Sequence, residues 1–190
     1  MAQGIALVGL VVFVIETLGR SSAAVGSLRG IAGIGTILGG LAMTLWGDRF
    51  AYHRMGGFSL IASGLAFLAT WNGPAITMDF WYYLVFFVLA GLPGTTAFIA
   101  IFSLLQRVTT SETRGRVFGL LGSINNALLG LGLLIGGLLI DRVRPALLLD
   151  WQGGLLVAAG ILALIVLRPL RAPASDGEVA LDADPRLQLE

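Results

Sequence analysis

FWYYLVFFVLAGLPGTTAFIAIFSLL, from Phe80 to Leu105, runs for 26 residues without a charged side chain. A helix needs about 20 mostly apolar residues to cross about 30 Å of hydrocarbon, and a soluble core rarely hides so long a run. On either side the same pattern recurs. Val117 to Ile140 is 24 residues without a charge, and no charge occurs between Arg54 and Asp79, where Met55 to Trp71 reads as a further span. Ala24 to Trp46 holds Arg29 as its one charge, and Leu147 to Leu167 is interrupted near its start by Asp150. Ile5 to Ile15 is short for a span and ends at Glu16 and Arg20. These six segments predict an all-α, polytopic transmembrane bundle, because helices satisfy their own backbone hydrogen bonds where lipid cannot.

Composition agrees. Of 190 residues, 56% are hydrophobic and 12% charged, with a mean hydropathy of +0.89; a soluble domain carries about twice that charge fraction. The net charge of +1 gives no basic field for nucleic acid, and all the basic residues are Arg. Without cysteine there are no disulfides, thiolate nucleophiles or zinc–sulfur sites. Met1-Ala2-Gln3-Gly4 has neither a basic leader nor a small-residue cleavage site, so the first apolar segment is expected to direct insertion itself.

The connections are short and polar: residues 47 to 54, Trp71 to Asp79, Gln106 to Arg116, and Asp141 to Pro145. Thr109-Thr110-Ser111-Glu112 fits a helix capping box. The sequence thus divides into a six-span unit over residues 1–168 and a tail over 169–190. That tail is rich in Pro, Ala and acids and reads as disordered. If the spans alternate, Arg49, Arg54, Arg107, Arg114, Arg116, Arg168 and Arg171 fall on one side, against Arg20, Arg142 and Arg144 with Arg29 nearby on the other. That asymmetry predicts a multi-pass protein of the cell membrane with its C-terminus in the cytoplasm. Trp46, Trp71, Trp81, Tyr82, Tyr83 and Trp151 lie near span ends, where interfacial aromatics belong.

Within the spans, glycine is the strongest signal. Gly26 and Gly30, Gly35 and Gly39, and Gly132 and Gly136 are each spaced four apart, which lets helices approach closely in lipid. They serve either packing inside the bundle or contact with a second helical body. Gly91-Leu92-Pro93-Gly94-Thr95-Thr96 interrupts the fourth span, either as a purely structural kink or as part of a transport path. Asn125 and Asn126 sit in the middle third of the fifth span and need a helix partner or a watery cavity. Glu16 and Arg29 lie toward one end of spans one and two and are placed to pair, as a structural link or a gate. In the loops, Asp48, Arg49, Glu112, Arg114 and Arg116 serve topology alone or form a network between two loops. Catalysis has no support: His53 is the one histidine, and no nucleophile, carboxylate pair or metal cluster stands at midspan. Neither metal nor cofactor is expected.

Leu104-Leu105-Gln106-Arg107-Val108-Thr109-Thr110-Ser111-Glu112-Thr113-Arg114-Gly115-Arg116-Val117-Phe118-Gly119 resembles the loop between spans ten and eleven of the major facilitator superfamily, in the flavour of its macrolide-efflux-like, drug:proton antiporter branch. There a Gly-rich helix ends in Gly-x-Leu-x-Asp, here Gly137-Leu138-Leu139-Ile140-Asp141, and residues 24 to 54 look like span eight with its loop motif, Gly47-Asp48-Arg49. Two departures stand out: Ala51, Tyr52 and His53 follow the loop motif in place of Gly and basic residues, and Thr110 replaces a proline. The resemblance covers roughly residues 5 to 168 and implies twelve spans in two halves that move solutes by alternating access. This chain would then be the C-terminal half, spans seven to twelve, with its first span clipped. It implies a charge network of Asp48, Arg49, Glu112, Arg114 and Arg116, and a Gly-rich surface facing the other half or a second copy. The expected function is efflux of a small amphiphilic solute across the bilayer, with Pro93, Thr95, Thr96, Asn125 and Asn126 along its path. The alternative is a membrane interaction subunit, or an inactive fragment, that transports nothing.

Overall fold

A computed structural model describes residues 1–46, 52–140 and 142–166. Six helices follow in order: α1 (Ala2–Val12), α2 (Ser22–Trp46), α3 (Tyr52–Trp71), α4 (Phe80–Val108), α5 (Ser111–Leu139) and α6 (Pro145–Val166). No strand occurs among the described residues. Four of these helices (α2, α4, α5 and α6) are long and apolar enough to cross a membrane. The apolar helix that begins the chain is shorter, Ala2–Thr17, and widens into a π turn over Phe13–Thr17. The segment α3 opens on Tyr52-His53-Arg54 and is diluted by Gly, Ser and Thr, and it is not among the four.

The ends of the helices follow local chemistry. Gly19, at φ +60, turns the chain from α1 into α2, a conformation that costs glycine little. Asp79 caps α4 by accepting from the Trp81 N–H at 3.2 Å, and a single 3₁₀ turn over Gly73–Ala75 precedes it. The linker expected over Gln106 to Arg116 is helical except for Thr109 and Thr110. Glu112, Arg114 and Arg116 sit on exposed helix surface, which is why polarity alone suggests a loop. The cap of α5 is Thr110, one residue later than the capping-box register; its hydroxyl lies 2.8 Å from that of Thr113 and makes no cap bond to the backbone.

Packing defines an arc. Helix α4 lies between α2 and α3, α6 lies between α3 and α1, and α5 packs on α1. Glycine sets the α3–α6 and α1–α5 seams. A Cβ on Gly64 would stand 2.7 Å from the Gly153 carbonyl oxygen, and one on Gly160 would stand 2.7 Å from that of Gly57. These reciprocal pairs hold α3 and α6 antiparallel in near backbone contact. Gly4 meets Gly132 and Ile5 meets Gly136, so α1 and α5 run parallel. At one end of the bundle an aromatic cluster fills the core: Phe13 lies edge-on to Trp71 at 5.3 Å, and Phe67 stacks on Trp71 at 5.8 Å. Of the residues expected at the interface, Trp81 and Trp151 are exposed, whereas Trp71 and Tyr83 turn inward, 2% and 0% exposed. Nearness to a span end set the expectation; the facing helices decide which way each ring points.

Candidate functional site

The two ends of the arc are α2 and α5, and each has a packed face and an open one. On α2, a Cβ at Gly35 or Gly39 would collide with the Val88 or Leu92 carbonyl oxygen of α4. Gly26, Gly30, Gly33 and Gly40 instead have nothing within 4 Å. Their spacing of four, three and seven places them in one stripe along the helix. On α5, Gly132 and Gly136 abut α1, while Gly115, Gly119, Gly122, Gly130 and Gly137 have nothing within 4 Å. Asn126, four residues after Gly122 and four before Gly130, lies in that stripe, and Asn125 beside it is also exposed. Helix α5 is the least covered, with 6% of its apolar stretch buried against 28% for α4.

The group around the proline lies elsewhere. Pro93 and Thr95 are half-buried and Thr96 is buried. The Thr96 hydroxyl donates to the Leu92 carbonyl at 3.0 Å and faces the Gly39 carbonyl at 3.5 Å, so it belongs to the seam of α2 with α4. Proline cannot donate an N–H at position 93, which leaves the Leu89 carbonyl without its helical donor. The buried Ser63 hydroxyl of α3 donates to the nearby Ala90 carbonyl at 3.1 Å. Among the described residues, no hydrogen bond joins Thr95 or Thr96 to Asn125 or Asn126.

Arg29 reaches across to α1 and donates from Nη2 to the Leu7 carbonyl at 3.3 Å. Glu16 is exposed in the π turn, and Arg20 lies over the Phe80 ring at 5.5 Å. Of the loop charges, Asp48 and Arg49 lie outside the described residues. Glu112, Arg114 and Arg116 are exposed on the first turns of α5, and Arg114 donates to the Gln106 carbonyl at 3.3 Å, tying α5 to the end of α4. No group of three His, Asp or Glu able to hold a metal occurs among the described residues.

Three features escaped the sequence reading. The Gly57–Gly160 and Gly64–Gly153 pairs recur at seven residues rather than four, a heptad signal visible only when α3 and α6 are compared with each other. The Asn72 amide donates to the Asp150 carboxylate at 2.9 Å and so links the turn after α3 to α6; a polar residue interrupting a span was its only mark. The Ser63 hydroxyl, one unremarkable serine in the sequence, stands opposite Gly94 of α4 and serves the Ala90 carbonyl.

A protein-family model, that of the Major Facilitator Superfamily, matches residues 1–187. No curated protein and no solved structure matches the chain. The family match takes in nearly the whole sequence, and the helical bundle with its long apolar spans is the architecture it requires: this multi-pass membrane protein belongs to the Major Facilitator Superfamily, a family of transporters and not of enzymes.

Proposed function

We propose that the chain acts as one six-helix half of an alternating-access transporter, exporting a small amphiphilic solute under a proton or similar gradient. A second six-helix body, another half or a second copy, would complete the path against α2 and α5. The observation that carries this reading is the pair of open glycine stripes on the two helices that end the arc. Helices in lipid associate through close backbone packing, and a stripe of small residues with no neighbour is a surface fitted to a helix. Pro93, Thr95 and Thr96 would shape the path from α4, and Asn125 and Asn126 would offer it amides from α5. Asp48, Arg49, Glu112, Arg114 and Arg116 would steady one state from the cytoplasmic side.

Because the chain has no cysteine, single Cys substitutions report on these faces without background. Gly30→Cys and Gly119→Cys, treated in native membranes with a bismaleimide, are expected to yield a cross-linked species with a polytopic partner or a second copy. The isolated complex is then expected to move an amphiphilic dye into proteoliposomes under an imposed proton gradient. Free reaction of both cysteines with a lipid-soluble maleimide, without cross-linking, would mean that these faces meet lipid. A cross-linked complex that moves no solute would favour the interaction-subunit reading.

A further inference from the structure

Arg29 is a charged side chain inside a span, where charge is expensive and ordinarily marks function. It stands seven residues into α2, about 10 Å along the axis from the helix start at about 1.5 Å per residue. An arginine at that depth would ordinarily extend back toward the interface, and the Cα–Cβ bond of a helix already tilts toward its N-terminus, here the near interface. The guanidinium instead stays at that depth. The Arg20 N–H donates to the Val14 carbonyl, which sets the start of α2 level with that turn, and the Leu7 carbonyl lies seven residues before Val14, about 10 Å down α1. The bond holds the cation at its own depth, along the exposed side of α2.

The surroundings leave that cation underused. A guanidinium offers five N–H donors, and among the described residues the Leu7 carbonyl is the one recorded acceptor. Three of the four hydroxyls on the same helix are spent on their own backbone: Ser27 on Ala23, Thr36 on Gly33 and Thr44 on Gly40. Arg29 is itself exposed, and it adjoins Gly30 and Gly33 of the open stripe. On α1, Gln3 is exposed and stands four residues before Leu7 on the same face. One cation, one amide and a wall of glycine make a surface with strong donors and no compensating carboxylate among the contacts recorded for Arg29.

We propose that Arg29, held at its depth in the span by the Leu7 carbonyl, recognises the anionic head, a carboxylate or sulfonate, of the solute carried along the α2 face. The inference rests on the transport reading above and narrows its substrate to amphiphilic organic anions. A planar guanidinium matches a carboxylate in a paired, charge-assisted geometry that lysine does not reproduce.

The test uses the full chain in phosphatidylcholine nanodiscs, with radiolabelled salicylate and its neutral counterpart salicylamide in equilibrium dialysis. Salicylate is expected to bind saturably and about tenfold or more tightly than salicylamide, the scale of a hydrogen bond to a charged group. Arg29→Gln is expected to bring salicylate down to the salicylamide level, and Arg29→Lys to keep part of the preference, with helicity by circular dichroism unchanged in both. Equal binding of the two probes, or undiminished salicylate binding in Arg29→Gln, would overturn the assignment. A lipid phosphate offers the same oxyanion chemistry, so the dialysis is repeated in phosphatidylglycerol nanodiscs. Salicylate binding that survives there supports a solute site, and binding abolished there assigns Arg29 to a lipid headgroup and overturns it. Salicylate uptake into proteoliposomes is read separately. Binding at Arg29 without uptake counts against the transport reading alone, and uptake indifferent to Arg29 counts against this assignment alone.

Discussion

At the scale of single residues, the same motif has two structural fates. Gly26 with Gly30 and Gly35 with Gly39 share one spacing on one helix, yet the second pair touches α4 backbone and the first faces open space. A Cβ at Gly35 must displace the Val88 carbonyl, which belongs to helix backbone and cannot swing aside. Gly35→Ala is therefore expected to cost about 1–3 kcal/mol by overpacking and to lower the unfolding temperature of the detergent-solubilised chain by several degrees. Gly26→Ala meets nothing and is expected to leave that temperature unchanged or slightly raised, since alanine is the better helix former. Equal temperatures for the two variants, measured by light scattering on heating, would mean that the α2–α4 seam is looser than described. The difference was not legible in the sequence. Four-residue spacing says that a face is smooth, and only the position of α4 says which smooth face is occupied.

Among the elements, α4 carries a proline through a continuous helix. Pro93 removes one backbone donor within a 29-residue helix. The Ser63 hydroxyl from α3, 3% exposed, serves the Ala90 carbonyl in that region. Ser63→Ala removes the donor and is expected to cost about 1 kcal/mol, the usual worth of a hydrogen bond between helices in lipid. Pro93→Ala restores an N–H to the Leu89 carbonyl and not to Ala90, so Ser63→Ala is expected to cost the same in the Pro93→Ala background. A double-mutant cycle on thermal stability checks this, and non-additive costs would show that serine and proline are coupled. At this scale much could be read in advance. Uncharged runs locate α4 and α5, and a long apolar run broken by one acid locates α6, because length and hydropathy are what lipid selects. The segment from Gln106 to Arg116 reads as a linker because Glu112, Arg114 and Arg116 sit on exposed helix, and hydropathy cannot distinguish a solvated helix surface from a loop.

For the whole molecule, orientation follows from where the helices put their ends. With α1 parallel to α5 and α3 antiparallel to α6, Arg54, Arg107, Arg114 and Arg116 fall at one end of the bundle with Glu112 as the one acid among the described residues there. Arg20, Arg142 and Arg144 fall at the other end, where Glu16, Asp79 and Asp150 offset them. Arg49, Arg168 and Arg171 lie outside the described residues, and the span alternation expected from the sequence assigns them to the richer end. Arginine near span ends resists translocation, so the richer end should stay in the cytoplasm. Acids weigh little in that choice, and the offset at the poorer end therefore matters less than the arginine count. A green fluorescent protein fused after Glu190 is expected to fluoresce, and alkaline phosphatase inserted between Val143 and Arg144 is expected to be active. Arg114→Gln with Arg116→Gln removes two of the charges closest to a span and is expected to raise the inverted fraction measurably by cysteine-accessibility labelling at both ends. An active phosphatase at Glu190 would reverse the assignment and put the ends of α4 and α5 outside. The Arg114 link to the Gln106 carbonyl would then work on the outer face, and the loop charges could not form a cytoplasmic network.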